Sequence, residues 1–271
     1  RADIEFEIEL QDKSTRWVLG SMNQSKTTGE YILVVHDITQ LRQLNSMRRD
    51  FISNLSHELR TPVSVIMANS ETLLDGALDN KKDAKIFAKA ILHNSERLSS
   101  MVSDLIDLSR IEYGDLKLNI KGIDFNEFME SFLVSMKSVA KKKDIELIYN
   151  PDHQGLVNAD IQALERIMNN LLDNAYKYSD EGTSVEVSTK DQGKMIKVMV
   201  TDSGVGVSDE DQGHIFDRFY RTASARASDT KGSGLGLAIV KNLINSLNGE
   251  VGITPKKPSG STFWFTIPKS T

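Results

Sequence analysis

The chain has 271 residues, 39% hydrophobic and 26% charged, which allows a sizeable core and two domains with room for a small third. Its 33 basic and 38 acidic residues give a net charge of −5, which argues against a general nucleic-acid binder because phosphate neutralisation needs a basic surface. Cysteine is absent and no apolar run reaches the roughly 18 residues of a membrane span, so disulfides, thiolate chemistry and a bilayer-crossing helix are excluded and a soluble, reducing-compartment chain is expected. Arg1–Leu10 alternates charged and apolar residues, unlike a secretory leader.

Ile4, Phe6, Ile8 and Leu10 have the period of a half-buried strand, and Arg16–Met22 and Tyr31–Val35 read as two more. Three strands in forty residues make a small core, so the chain is expected to start inside a domain. From Leu41 the spacing becomes helical, without Gly or Pro until Pro62. Asp75-Gly76 and Asp79-Asn80 form a plausible turn before a second helix, in which Phe87, Ile91, Asn94, Leu98, Met101, Leu105 and Leu108 step alternately by 4 and 3. Such a seam is buried either within one helical hairpin or in a dimeric four-helix bundle. The dimer is the favoured reading, because two helices have little core of their own.

Beyond Gly114, Leu116, Leu118 and Ile120 alternate, and Asp124-Phe-Asn-Glu127 resembles a capping box opening an amphipathic helix. Strands are predicted at Ile145–Tyr149, Ser184–Lys190, Met195–Thr201, Gly249–Thr254 and Thr262–Ile267. Helices are predicted from the Asp160 cap to Tyr178 and over Leu235–Leu247. The fold class is therefore α+β, with helices covering a sheet.

Six of the 17 glycines, Gly204, Gly206, Gly213, Gly232, Gly234 and Gly236, fall within 33 residues. Clustered glycines suit either ordinary turns or a loop whose backbone approaches phosphate. A P-loop is absent, Gly232-Ser-Gly234-Leu-Gly236 fails the dinucleotide pattern, and the protein-kinase motifs are missing. Asn170 and Asn174 share a helix face with Lys177 close by, so amide oxygens for Mg²⁺ and a cation for phosphate converge there, although an exposed polar face would look the same. Asp202 ends an apolar strand, where its carboxylate can accept from an exocyclic amine or cap the next turn.

These motifs resemble the boxes of sensor histidine kinases. Asn170-Leu-Leu-Asp-Asn174-Ala-Tyr-Lys177-Tyr178 is similar to the N box and Asp202-Ser-Gly204-Val-Gly206 to the G1 box. Ile215-Phe-Asp-Arg218-Phe219-Tyr220-Arg221 is similar to the F box, and Gly232-Ser-Gly234-Leu235-Gly236-Leu to the G2 box. The resemblance implies an α/β-sandwich, Bergerat-type ATP-binding domain shared with gyrase and MutL-type ATPases. In it Asp202 would hold the adenine amine, Asn174 would ligate Mg²⁺, and Asn170 and Lys177 would face the phosphates. Arg218 would approach the γ-phosphate. Tyr178, Gly204, Gly206, Gly232, Gly234, Leu235 and Gly236 would complete the ATP site, with Thr222–Lys231 as its lid. Pro258 departs from a glycine frequent in the family's last box, although Gly260-Ser-Thr-Phe263 still fits.

Of five histidines, His36, His93, His153 and His214 read as ordinary surface or core residues. His57 lies in Ser56-His57-Glu58-Leu59-Arg60-Thr61-Pro62, which resembles the H box of the same family. On a helix two residues rotate by about 200°, so His57 points away from Leu55 and Leu59 and its ring is expected to be exposed. Glu58 is within reach of the imidazole, Thr61 shares its face, and Pro62 is expected to bend the helix. The resemblance implies autophosphorylation of His57, assisted by Glu58, and transfer to an aspartate of a response-regulator receiver domain. It also implies a phosphatase face at Glu58 and Thr61, and a homodimer.

Val34-Val-His-Asp37-Ile-Thr39 resembles the end of a PAS sensor domain. The expected domains are 1–39, the C-terminal part of such a domain; 40–113, dimerisation and phosphotransfer; and 114–271, ATP binding. Ser70–Ala77 resembles the phosphate-responsive sensor subgroup. By this resemblance the chain is the cytoplasmic part of a membrane-anchored bacterial sensor, without membrane contact of its own. A related ATPase clamp and a phosphatase-biased signalling scaffold are the alternatives.

Overall fold

Alternation of apolar and polar residues at the start of the chain produces three antiparallel strands in the computed structural model: β1 (Ala2–Glu9), β2 (Thr15–Gln24) and β3 (Tyr31–Asp37), in the order β1-β2-β3. The structure describes residues 2–10, 15–24, 29–112, 114–152, 155–227, 232–256 and 259–270, and divides into two units, Arg1–Thr61 and Pro62–Thr271. His153, Pro258 and the end of the expected lid at 228–231 lie outside the described residues.

In the first unit the sheet meets the start of helix α1 (Thr39–Leu74) at a polar corner. The Thr39 backbone N–H donates to Asp37 Oδ1 at 2.9 Å, and the Trp17 N–H donates to Thr39 Oγ1 at 2.9 Å. The Arg42 guanidinium lies 4.5 Å from the centre of the Trp17 ring and also pairs with Glu5. These bonds to Asp37, Thr39's foremost, hold its carboxyl below the usual range.

The second unit begins within α1, which continues as helix through Pro62, a residue that removes one backbone donor. After Gly76, whose φ of 120° suits glycine, a short 3₁₀ turn at Ala77–Asp79 leads into α2 (Lys81–Glu112). The seam residues Met101 and Leu108 are buried, and in these C-terminal turns α2 packs against α7 (Gly236–Ser246). A heptad seam read from sequence points to another bundle helix; here its last turns are covered by a helix of the following α/β layer.

That layer is a five-stranded sheet of β5 (Glu146–Asn150), β7 (Ser184–Gln192), β8 (Met195–Thr201), β10 (Ser261–Pro268) and β9 (Val251–Pro255), in that order. β5 runs parallel to β7 and the other pairs are antiparallel. Val185, Val187, Ile196, Val198, Val200, Phe263, Phe265 and Ile267 alternate onto a buried face. α3 (Phe125–Lys142), α4 (Ile161–Tyr178) and α7 pack against these strands. Leu164, Ile167, Met168, Leu171, Leu172 and Ala175 form the buried stripe of α4 at helical spacing. The expected caps are present: Asp124 accepts from the N–H groups of Asn126 and Glu127, and Asp160 from that of Ala163. β4 (Lys121–Asp124) and β6 (Leu156–Ala159) pair apart from the main sheet, and α5 (Asp209–Gln212) and α6 (Ala223–Ala227) are short. No helix among the described residues is long and apolar enough to cross a membrane.

Candidate active site

In the second unit α4, the turn after β8 and the glycine loop before α7 line one cavity of about 650 Å³. Asn170, Asn174, Lys177, Tyr178, Asp202 and Gly206 all face it, as do Gly232, Gly234 and Gly236. Helical spacing puts the α4 residues on its wall, because the opposite stripe of the helix is the core.

Asp202 is buried at the end of β8. Its Oδ1 accepts from the Gly204 N–H at 2.9 Å and the Ser261 N–H at 3.1 Å. Burial pushes its carboxyl up from the ordinary value, opposed by those two N–H groups and by Lys256. Oδ1 is thus oriented by the backbone, and the carboxylate is presented to a cavity where a ligand amine would meet little competition from water.

The glycines make room in different ways. A Cβ on Gly204 would stand 2.2 Å from the Tyr178 carbonyl oxygen, so this turn closes against α4 only with glycine. Gly234 has φ 70° and its Cβ would fall 2.7 Å from the Phe219 backbone, while Phe219 itself has φ 60°, rare for a bulky residue. The Phe219 N–H donates to the Gly234 carbonyl at 2.9 Å, which locks the two segments together. A Cβ on Gly236 would approach Asn170 Oδ1 to 2.6 Å, while the Asn170 amide donates to the Arg166 carbonyl at 2.8 Å.

Not every expected residue lines the cavity. Gly204 lies behind its wall, Leu235 is buried at the start of α7, and Arg218 is outside the lining, where Arg221 and Tyr220 stand instead. The Tyr220 hydroxyl donates to Asp211 Oδ1 at 2.6 Å, supporting the segment that precedes the glycine loop. Sequence reading passed over Asp104 and Arg166, which also line the cavity. Their separation along the chain hides them, since neither belongs to a motif.

In the first unit His57 is exposed on α1 with Leu55 and Leu59 less so, as the rotation of the helix requires. The Thr61 hydroxyl donates to the His57 carbonyl at 3.3 Å, and Thr61 is exposed on the same face.

Residues 47–114 match the model of the His Kinase A (phospho-acceptor) domain. Residues 159–271 match that of the histidine kinase-, DNA gyrase B-, and HSP90-like ATPase. The sensor-like histidine kinase SenX3 of Mycobacterium tuberculosis is 34% identical over 98% of this chain and 66% of its own length. The sensor histidine kinase WalK of Bacillus subtilis is 33% identical over 98% of the chain and 44% of its own length.

The chain belongs to the sensor histidine kinases.

It spans about two thirds of the length of SenX3 and less than half of WalK. The Acinetobacter baumannii histidine kinase AdeS superposes with a TM-score of 0.66 at 26% identity, covering 79% of this chain and 98% of that one. ShkA, solved full-length in complex with AMPPNP, gives 0.61 at 25% identity over 82% of this chain and 46% of its own. The fold is the helical hairpin followed by an α/β ATPase domain that these kinases share, and the ATPase family implies ATP as the nucleotide.

Proposed function

We propose that this chain binds ATP in the cavity between α4 and the glycine loop, autophosphorylates His57 and passes the phosphoryl group to an aspartate of a response-regulator receiver domain. The observation that carries the reading is the buried Asp202 carboxylate, oriented by Gly204 and Ser261 in the same cavity as Asn170, Asn174 and Lys177. One end suits an adenine amine and the other a triphosphate.

Asp202 accepts from the exocyclic amine and so selects adenine over a base carrying a carbonyl there. Asn170 and Lys177 face the phosphates, Arg218 approaches the γ-phosphate, Tyr178 lines the site, and Gly206, Gly232 and Gly234 let the backbone lie close to the nucleotide. Gly204, Leu235 and Gly236 hold these segments in place. The Asn174 carboxamide oxygen, facing the same cavity, would ligate Mg²⁺ together with the phosphates and water. When bound, Mg²⁺ spreads the negative charge that accumulates on the leaving ADP. His57 attacks the γ-phosphorus through a neutral imidazole nitrogen; the new N–P bond forms as the bond to the β-phosphate oxygen breaks. Glu58 orients the ring and accepts its other proton. In a separate phosphatase reaction Thr61, with Glu58, positions a water against the regulator's phospho-aspartate, releasing inorganic phosphate and restoring the aspartate.

We further infer a homodimer, built from a dimerisation and phosphotransfer domain at 40–113. It is flanked by the end of a PAS-like domain at 1–39 and by the ATP-binding domain at 114–271. The chain would be the cytoplasmic portion of a membrane-anchored sensor. Incubation with Mg²⁺ and γ-labelled ATP, beside His57→Gln, tests the reaction. Acid-labile, alkali-stable label that is absent from His57→Gln is expected. ATP hydrolysis without a labelled protein would instead make the chain a conformational clamp, and absence of both would make it a scaffold or phosphatase.

A further inference from the structure

Two cations that line the cavity, Lys177 and Arg166, are already paired with carboxylates of this chain. Lys177 pairs with Asp173, one turn earlier on α4. Arg166, one turn before Asn170, pairs with Asp104 and, at 3.2 Å, with Asp107, both on α2. Asp104 is buried although acidic, and the Ser233 hydroxyl of the glycine loop lies 3.5 Å from its Oδ2. Ser233 in turn accepts from the Leu235 N–H at 3.3 Å, at the start of α7. One carboxylate from α2 therefore meets both the helix and the loop that face the phosphates.

A buried carboxylate that bonds an arginine and a loop hydroxyl has the recognition chemistry of a phosphate oxygen. Its charge also repels a triphosphate entering the same cavity, where low solvent exposure strengthens the effect. Arg166 Nε is buried with no partner among the described residues, so Asp104 and Asp107 leave one guanidinium donor unsatisfied.

We propose that Asp104 is a positioning residue of the nucleotide site, a carboxylate of α2 that stands where phosphate would on Arg166 and Ser233, so that triphosphate binding and the seating of α2 compete. This rests on the reading of the cavity as the ATP site. The competition is reciprocal: a triphosphate that takes over Arg166 and Ser233 loosens the C-terminal turns of α2, and an α2 held in place weakens nucleotide binding by the same factor. The second helix of the hairpin thereby senses whether the neighbouring site is loaded.

Calorimetric titration of the full chain with Mg²⁺ and AMPPNP tests this. Asp104→Asn keeps the side-chain volume and removes the charge, and is expected to bind AMPPNP roughly fivefold or more tightly than the unaltered chain. Asp107→Asn, at a more exposed position, should act in the same direction with a smaller ratio. The ratios should shrink with ADP and vanish with adenosine, a dependence on phosphate charge that a merely structural role would not produce. In the unaltered chain AMPPNP should also speed amide hydrogen exchange across residues 101–111. Weaker or unchanged AMPPNP binding by Asp104→Asn, or a change equal for adenosine and AMPPNP, overturns the proposal. If Asp104→Asn does not fold, Asp107→Asn and the exchange measurement decide, and unchanged exchange over 101–111 is equally fatal. Failure of the unaltered chain to bind AMPPNP at all would defeat the ATP-site reading first and this proposal with it. Binding without charge-dependent differences defeats Asp104's role alone.

Discussion

The two units spend their apolar residues differently. In Pro62–Thr271 the stripe of α4 and one face of the five-stranded sheet are buried against each other, down to complete exclusion of Leu164, Ile167, Leu171, Val198 and Phe265 from solvent. In Arg1–Thr61, Val18 is buried, while β3 shows Tyr31, Ile32, Leu33, Val34 and Val35 to solvent and α1 shows Leu41, Leu44 and Met47. What holds the first unit is largely directional: the Asp37–Thr39–Trp17 corner and Arg42 stacked on Trp17. A non-directional core supports a precise cavity because every wall is packed from behind. A polar corner instead sets the direction in which a helix leaves a sheet.

The sharpest way to break this comparison is to shave both units. Leu171→Ala should lower stability by about 2–5 kcal/mol, whereas Leu33→Ala should stay within about 0.5 kcal/mol in the isolated chain, as read by denaturant unfolding. Similar losses at both sites would show that the exposed strand is covered in solution. Next in size is Gly204→Ala. Its methyl group collides with the Tyr178 carbonyl, costing about 1–3 kcal/mol and widening the adenine end, so AMPPNP binding should weaken along with thermal stability. Binding that survives unchanged would place the base elsewhere.

A third measurement uses pH. Because burial raises the Asp202 carboxyl above its ordinary 3.8, the folded chain holds that proton more tightly than the unfolded one. The resulting stability is fully present below 3.8 and is lost as pH rises through the folded value. Adenine binding runs the other way, since the acceptor must be ionised. AMPPNP affinity should therefore fall as pH drops through the raised value, and Asp202→Asn should remove that pH dependence together with most of the affinity. A smaller effect is expected at the polar corner of the first unit: Thr39→Val removes the acceptor of the Trp17 N–H and should cost about 1 kcal/mol without changing AMPPNP binding. Leu44→Glu addresses the proposed homodimer and should move the chain toward monomer in sedimentation; an undiminished dimer would place the contact elsewhere.

Much of the second unit was legible because its signals are local. The Asp160 cap and the stripe from Leu164 to Ala175 place α4 to the residue, since both depend on positions within a few turns of one helix. The exposure of His57 follows from the same rotation. β4 and β6 escaped notice because four-residue strands have too few positions to show a period. Leu116, Leu118 and Ile120 alternate without joining a strand: the Asn119 N–H there is taken by the Asp160 side chain at 2.7 Å.

The sequence by itself determined the longer elements, the order of the boxes and the family, all of which reside in short-range pattern and residue identity. Tertiary structure alone decided four things. It brought Ser261 to Asp202 across 59 residues, so that a strand-end carboxylate became an oriented acceptor. It set β5 parallel to β7 in a sheet otherwise antiparallel. It covered the last turns of the α2 seam with α7 and joined Asp104 to Arg166 across 62 residues. An apolar seam records that it must be buried but not against what, and an exposed-looking aspartate carries no mark of the arginine it will meet. Those choices depend on burial and charge pairing between distant segments, which exist only once the chain has folded.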